Sequence, residues 1–325
     1  MRYRSISEPK PFAYVDIVKG IEKSKYKAQD RFYEKELTGR LELDLRVISD
    51  YLFTGSGNYD RRERDKLVYY SFFRSNGTIV IPGTSIKGAV RSVLEALSNS
   101  CVSQLAGMKR TGKNRYKRDE SSPPYIDKRH SHKPCDDLTT LCPACRLFGT
   151  TGYSGSVSFL DALPANNPSI TIIKIGELFG PTTVISKRKF YQNKRFNPVG
   201  NQRPEKNYRF VEAVKRGSIF KTSLHIQNLT KEELALLFYA MGIDQDYRIK
   251  VGGAKPRCFG TVQFVPTNLK LWKDPLEKAE EHSGEGLKNF IADVLACDNL
   301  IIANLLNQFR DEVLKPNERC PKGVY

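Results

Sequence analysis

The sequence predicts an α+β fold, because segments of alternating polarity are interrupted by two stretches with helical periodicity. Apolar and polar residues alternate strictly from Leu41 to Val47, which is typical of a half-buried strand. Apolar residues recur at helical spacing from Ile86 to Leu97 and again from Leu234 to Met241. Further strands are predicted at residues 157–159, 220–227 and 262–265. The order β-α-β-β-α-β predicts a ferredoxin-like (RRM-like) core.

Both predicted helices carry start signals. Thr84-Ser85 can cap the first helix, because short hydroxyl side chains accept hydrogen bonds from the first turn. In the second helix, Thr230 is followed three residues later by Glu233, the spacing of a capping box. Gly242 predicts the end of that helix, because glycine adopts the left-handed conformation that often follows a last turn.

Two long insertions interrupt the predicted core, which spans residues 1–270. Residues 100–156 separate the first helix from the second strand, and residues 165–219 separate the second strand from the third. Structureless loops longer than about 15 residues are usually functional or disordered, and the motifs below favour function. Residues 271–325 form a C-terminal extension with two predicted amphipathic helices.

The charge of the chain indicates a polyanionic partner. Lysine and arginine number 53 against 36 acidic residues, a formal net charge of +17. Such an excess repels itself, so nucleic acid is the first candidate partner and an anionic membrane surface the second. No stretch approaches the roughly 20 apolar residues of a spanning helix, and no apolar run follows Met1–Ser5 as in a signal peptide. We therefore expect a cytoplasmic protein with no membrane partner.

Three of the seven cysteines are crowded together and predict a metal site. Cys142 and Cys145 form a Cys-x2-Cys knuckle, and His130, His132 and Cys135 precede it. Three thiolates and one imidazole satisfy tetrahedral zinc and leave no position for a catalytic water, so a structural zinc ion is predicted. Which histidine is the fourth ligand stays open. The odd cysteine count favours a reduced compartment over a disulfide framework.

Two glycine-containing motifs can approach phosphate closely. Residues 81–91 (IPGTSIKGAVR) join a strand to a helix whose N-terminal amides can hold an anion, with Lys87 and Arg91 on one face. This is not a Walker A loop, because Ala89 follows the second glycine. Residues 252–260 (GGAKPRCFG) form a loop with two bases, Lys255 and Arg257, and such loops make anion-binding concavities. The alternatives are an ordinary capped helix and a glycine-rich hairpin.

A basic and aromatic run spans residues 187–196. Bases neutralise phosphates, while exposed rings stack on unpaired nucleobases. The run therefore predicts nucleic-acid binding by Lys187, Arg188, Lys189, Phe190 and Tyr191.

Together these motifs resemble the RAMP superfamily. Residues 81–91 resemble its N-terminal signature, and residues 252–260 resemble its C-terminal glycine-rich loop. Residues 142–149 (CPACRLFG) are similar to a cysteine-containing segment of type III backbone subunits, and residues 208–220 to the segment that enters their second half. The resemblance covers residues 38–266, in the family's order.

The resemblance implies a guide-RNA-binding backbone subunit of a CRISPR type III-like interference complex. Its partners would be guide RNA (crRNA), complementary target RNA and other effector subunits. Lys87, Arg91, Lys255 and Arg257 would contact the guide, and the 187–196 run would match a thumb-like hairpin in the guide–target duplex.

The resemblance also implies a candidate catalytic residue. In RNA-cleaving members, a loop aspartate upstream of the IPG signature is needed for metal-dependent cleavage, with a divalent cation such as Mg or Mn. Asp65 best matches that position and Asp60 is the second choice. Leu67 stands where members commonly carry proline, so the segment departs from the family pattern at this position. A carboxylate there can hold Mg²⁺ near the scissile phosphate; the alternative is an ordinary acidic loop residue.

Three other functions remain open. A catalytically inactive filament subunit would keep every motif except a working Asp65. A stand-alone guide-processing endoribonuclease would use an N-terminal histidine, but the first histidine here is His130. A zinc-containing DNA-binding regulator would need helix-turn-helix or tandem-finger spacing, which the sequence does not contain.

Overall fold

The computed structural model describes residues 10–18, 20–25, 28–103, 108–112, 115–118, 135–177, 187–274, 276–314 and 318–321. The helices are α1 (Gly83–Leu97), α2 (Pro143–Phe148), α3 (Lys231–Met241), α4 (Gly284–Leu295) and α5 (Ala303–Val313), with a 3-10 turn at Lys255–Arg257. The strands are β1 (Phe12–Val15), β2 (Ser24–Lys25), β3 (Leu37–Val47), β4 (Tyr51–Leu52), β5 (Gly55–Arg62), β6 (Leu67–Phe72), β7 (Arg74–Ser75), β8 (Thr78–Ile79), β9 (Met108–Gly112), β10 (Arg115–Arg118), β11 (Thr140–Leu141), β12 (Val157–Phe159), β13 (Leu163–Pro164), β14 (Ile170–Gly176), β15 (Arg188–Tyr191), β16 (Tyr208–Lys215), β17 (Ile219–Leu229), β18 (Ile249–Lys250), β19 (Thr261–Leu271) and β20 (Glu280–Ser283).

The main sheet runs in the order β12-β17-β3-β19-β18 and its pairs are antiparallel. The predicted alternation in β3 is confirmed, because Leu41, Leu43, Leu45 and Val47 are all buried. Helices α1 and α3 pack against each other, α1 also against β12 and α3 against β17. The mixed α+β class predicted from the sequence is therefore confirmed.

A second sheet has the order β14-β16-β6-β5, with β4 joined to β16. Residues 55–68 are expected to be a loop from the sequence, but only the turn at residues 63–66, which contains Asp65, lacks strand structure, and the rest belongs to the hairpin β5–β6. Nearly all of β5 is exposed, so its sequence lacks the apolar alternation that marks a half-buried strand. The segment 165–219 contributes β14 and β16 to this same sheet.

Of the two predicted helix starts, that of α1 is wrong and that of α3 is correct. Helix α1 begins at Gly83 and its N-cap is Pro82, so the predicted Thr84-Ser85 cap is wrong. Instead the Gly83 amide donates to Asp161 Oδ1 at 2.8 Å, and a Cβ at Gly83 would lie 2.1 Å from the Phe159 carbonyl oxygen. The capping box of α3 is confirmed, as is the left-handed Gly242.

The C-terminal helices lie against the core. Helix α4 contacts α3 and β19, while α5 contacts α1 and β1. Beyond α5, Cys320 forms a disulfide with Cys258, so the expectation of reduced cysteines does not hold for this pair. Within the described ranges, each helix is too short or too polar to span a bilayer.

Candidate nucleic-acid interface and metal cluster

A cavity of about 500 Å³ lies where the N-terminus of α1 meets the glycine-rich loop. We call it the glycine-loop cavity, and its described lining consists of Thr54, Gly55, Thr84, Ser85, Gly88, Ala89, Ser92, Val93, Lys189, Phe190, Tyr191, Ile249, Lys250, Gly252, Gly253, Lys255, Phe309 and Val313. The structure thus brings together the two glycine motifs and part of the basic-aromatic run, which are far apart in sequence.

Close backbone packing positions the glycine-rich loop. Gly252 has a φ of +85°, and a Cβ there would lie 2.3 Å from the Phe53 carbonyl oxygen. The Gly253 amide donates to that same oxygen at 2.7 Å. Only glycine fits this approach, which brings the loop beside Thr54 and Gly55.

Three lysines and no acidic residue line the cavity within the described structure. Lys250 is buried, and its ammonium donates to the Phe259 carbonyl oxygen at 3.1 Å and to Thr261 Oγ1 at 2.9 Å. Burial, with a smaller contribution from the Lys255 charge, lowers the pKa of Lys250 to about 7. Burial also lowers the pKa of Lys255, whose ammonium has no partner among the described residues. Sequence analysis missed Lys250, because one lysine in a short strand carries no motif.

The basic-aromatic run forms one side of this cavity. Strand β15 pairs with β1, and the Lys189 ammonium lies 3.9 Å from the centroid of the Phe12 ring. The Phe190 ring packs edge-on against Phe309 at 4.9 Å. The described part of the run is therefore packed against the body of the protein. Lys187 forms an ion pair with Asp16 at 2.7 Å.

Two predicted RNA-binding arginines point into the protein. Arg91 Nε lies 2.8 Å from Glu95 Oε1, and Arg188 Nη1 lies 3.0 Å from Glu95 Oε2. Arg91 also donates to the Gly149 carbonyl oxygen, and Arg188 to that of Cys101. Glu95 is only 2% exposed, so this network is internal and its guanidinium groups support the fold.

Neither Arg257 nor Lys87 is among the described residues that line the glycine-loop cavity. The Arg257 guanidinium is buried and donates to the carbonyl oxygens of Gly176 and Glu177 at 3.2 and 2.9 Å. It therefore holds the glycine-rich loop against β14. Lys87 is half-buried on α1 but does not line the cavity; burial, then the Arg91 charge, lowers its pKa.

Four buried cysteines form a cluster whose sulfur atoms all lie within 4.8 Å of one another. Cys135, Cys142 and Cys145 were predicted, and the fourth member is Cys101, just beyond α1. Cys101 Sγ lies 3.5 Å from the Sγ atoms of both Cys142 and Cys145. Four thiolates around one zinc ion at about 2.3 Å place their sulfurs roughly 3.8 Å apart, so the cluster can hold a metal such as zinc.

The local chemistry also suits a bound cation. The Cys142 amide donates to Cys135 Sγ at 3.4 Å, and Arg91 Nη2 lies 3.7 Å from Cys145 Sγ. Hydrogen bonds among the thiols, that with Cys101 first, lower the pKa of Cys142, whereas hydrogen bonds with the other three thiols, Cys135 first, raise the pKa of Cys101. His130 and His132 lie outside the described residues. Cys101 could not be found from spacing, because 34 residues separate it from Cys135.

The candidate catalytic aspartates lie on the β5–β6 hairpin. Asp65 Oδ1 accepts from Arg62 Nε at 2.9 Å and from the Leu67 amide at 3.3 Å. The Arg62 contact is the main reason why the pKa of Asp65 falls to about 2. Asp60 accepts from the Arg61 amide at 2.7 Å and from the Tyr69 hydroxyl at 2.9 Å. Both carboxylates are exposed but occupied by neighbours on their own hairpin, and neither lines the glycine-loop cavity.

Comparison with known proteins gives one family. The model of the RAMP superfamily matches residues 44–263, more than half of the chain. This range contains α1, the cysteine cluster and the glycine-rich loop. No curated protein matches the chain.

Proposed function

The chain belongs to the RAMP superfamily, and from this membership we propose that it is a guide-RNA-binding backbone subunit of a CRISPR type III-like interference complex. The family carries a CRISPR-associated RNA-binding role, and its members bind crRNA and other CRISPR subunits. Complementary target RNA would pair with the bound guide.

The observation that carries this proposal is the cluster of lysines in the glycine-loop cavity. Burying an ammonium group away from water is costly unless an opposite charge is near. Lys250 and Lys255 have no carboxylate beside them in the described cavity. An RNA phosphate would supply the missing negative charge, and the amides of the adjacent glycine loop and helix start can donate to it.

The proposed RNA contacts differ in part from those expected from the sequence. Lys189, Lys250 and Lys255 would neutralise phosphates, while Tyr191 offers a ring at the same cavity. Arg91, Arg188 and Arg257 are positioning residues, since their guanidinium groups are engaged within the protein. Co-purification of a discrete small RNA with other effector subunits tests the proposal, and a protein free of RNA in its native complex would contradict it.

The core fold supports this assignment. The four strands β3, β12, β17 and β19 alternate with α1 and α3 along the chain and lie in the order β12-β17-β3-β19. We therefore propose the ferredoxin-like arrangement for the core. RNA-binding domains of this general type bind single strands with a sheet and its flanking loops.

A structural zinc ion is proposed for the four-cysteine cluster. Cys101, Cys135, Cys142 and Cys145 would complete a tetrahedral site, which leaves no need for His130 or His132 as a ligand. The ion would connect the end of α1 to α2. It would therefore stabilise the helix whose N-terminus lines the glycine-loop cavity.

Cleavage of target RNA is a second candidate function, favoured by the exposed carboxylates of the basic β5–β6 hairpin. Asp65 is ionised at neutral pH, because its pKa is about 2, and it would bind a divalent cation such as Mg or Mn once Arg62 moved away. Asp60 is the alternative ligand. If the protein does not cleave RNA, the same interface would serve an inactive backbone subunit. A stand-alone processing nuclease would need a histidine at the glycine-loop cavity, and the described lining of that cavity contains none.

A further inference from the structure

A second cavity, of about 540 Å³, lies beside the C-terminal segment. Among its described lining residues are four cations, namely Arg195, Lys215, Arg216 and Arg319, and a single acid, Asp50. Tyr51 and Phe196 also line it. We call it the C-terminal basic cavity, and its balance of charge favours an anion.

Backbone hydrogen bonds, and not attraction between side chains, bring the two arginines together. The Arg195 amide donates to the Glu318 carbonyl oxygen at 2.8 Å, and the Cys320 amide donates to the Arg195 carbonyl oxygen at 2.7 Å. Arg195 and Arg319 therefore form a parallel β-bridge. The disulfide from Cys320 to Cys258 joins this segment to the glycine-rich loop.

The one acid is already neutralised. Asp50 Oδ1 lies 3.0 Å from Arg216, and Asp50 Oδ2 accepts from the Phe196 amide at 2.9 Å. The side chains of Arg195, Lys215 and Arg319 have no partner among the described residues. Three exposed like charges held around one cavity repel each other, and a bound anion would remove that repulsion.

We propose that the C-terminal basic cavity binds a phosphate of the same RNA strand that occupies the glycine-loop cavity. This inference rests on the proposed RNA-binding function and adds a second anchoring point to it. Paired guanidinium groups match the oxygens of a phosphodiester. Residue 195 ends the basic part of the 187–196 run, so a single segment would lead from one phosphate site to the other.

Binding to RNAs of increasing length tests the inference. Single-stranded RNAs from about 4 to about 20 nucleotides are titrated against wild type, the double variant Arg195→Gln/Arg319→Gln and the single variant Lys255→Met. Arg31→Gln is the matched control, because that arginine is exposed and its ion pair within the described residues is with its neighbour Asp30. Thermal unfolding verifies that each variant is folded.

The expected result depends on length. The double variant binds the shortest RNAs like wild type and the longest ones more weakly, by roughly 25-fold at 0.1 M salt, as two lost phosphate contacts imply. Lys255→Met weakens binding at every length, and Arg31→Gln changes nothing. If the double variant binds long RNA as tightly as wild type while Lys255→Met binds it more weakly, the inference of a second phosphate site is overturned but the proposed function is not. If Lys255→Met binds RNA as tightly as wild type, the proposed function is overturned. Tight binding of UMP or AMP that the double variant loses would assign the cavity to a free nucleotide and overturn the RNA assignment.

Discussion

The Sγ atoms of Cys101 and Cys145 lie 3.5 Å apart, although 44 residues separate them in the sequence. Their contact joins the end of α1 to α2. Arg91, one residue of α1, touches Cys145 Sγ and also pairs with Glu95. The same helix begins at the glycine-loop cavity. The cysteine cluster, the Glu95 ion pairs and the proposed RNA site are therefore all connected to helix α1.

The first prediction concerns the metal. Cys101→Ser should lower the zinc content of protein purified without chelator from near one ion per chain to near none. It should also lower the melting temperature, because structural zinc contributes directly to folding free energy. Cys297→Ser is the control, since Cys297 is partly exposed and outside the cluster. If Cys101→Ser still contains one zinc ion per chain, Cys101 is not a ligand and a histidine must be the fourth ligand.

The second prediction concerns the lysines of the glycine-loop cavity. Lys255→Met should weaken RNA binding equally for unrelated sequences and reduce the dependence of log affinity on log salt by about 0.7. The reason is that a lysine at a phosphate contributes charge and not base recognition. Fluorescence anisotropy at several salt concentrations measures both quantities. Lys278→Met, at an exposed position, should leave them unchanged; equal losses in the two variants would mean that only net charge matters.

The third prediction is a proton linkage at Lys250. Its pKa in the free protein is about 7, and a phosphate nearby would raise it. RNA binding near pH 8 should therefore take up a proton, and affinity should fall as pH rises from 7 to 9. Calorimetry in two buffers with different ionisation enthalpies measures this uptake, which Lys250→Met should abolish. If the binding enthalpy of wild type is the same in both buffers, no proton is taken up and Lys250 is not part of the RNA site.

The lowered pKa of Lys250 also makes the free energy of unfolding depend on pH. The folded pKa of Lys250 lies below the unfolded value of 10.5, so the unfolded chain binds more protons between these values. The free energy of unfolding of the RNA-free protein should thus gain a contribution as pH rises from 7 towards 10.5. This rise should be smaller in Lys250→Met.

The elements that the sequence predicts well are those with a local physical signal. The capping box of Thr230 and Glu233 depends on residues three apart, and the structure confirms it. Cys101 and Lys250 join their sites only through tertiary folding, so no spacing reveals them. Arg91 and Arg188 look like solvated bases in the sequence, because Glu95, which neutralises both, cannot be located without the fold.

The fourth prediction concerns this buried network. Glu95→Gln should destabilise the protein by about 2–4 kcal/mol, because it leaves two partly buried guanidinium groups without their counter-charge, somewhat less than for a fully buried pair. Urea unfolding measures the change. Glu285→Gln is the control, since its pair with Lys288 is exposed and surface pairs contribute about 0–1 kcal/mol. A loss for Glu95→Gln as small as that of the control would show that water already screens both arginines.

The last prediction concerns cleavage. Asp65→Asn should abolish metal-dependent cutting of guide-complementary RNA at the position this subunit covers, while RNA affinity and complex assembly stay unchanged. The substitution keeps the size of the side chain but removes the charge that would hold Mg²⁺ or Mn²⁺. Loss of a positioned acid–base group typically costs about 10²–10⁴-fold in rate. Gel analysis of labelled target RNA, with and without chelator, measures the cuts.

Arg62 supplies the sharper control for this prediction. It occupies Asp65 in the structure, so Arg62→Gln should free the carboxylate and lower the metal concentration needed for cleavage. The pKa of Asp65 is about 2 while Arg62 contacts it, and an aspartate without such a partner still titrates at about 3.9. In either state its charge should persist from pH 8 down to about pH 5, and cleavage should not fall in that window through this group. If Asp60→Asn abolishes cutting and Asp65→Asn does not, the hairpin is still the catalytic element but Asp60 is the catalytic residue. Unchanged cutting in both would leave the subunit as a scaffold for RNA, since no other carboxylate of the described hairpin matches the family position.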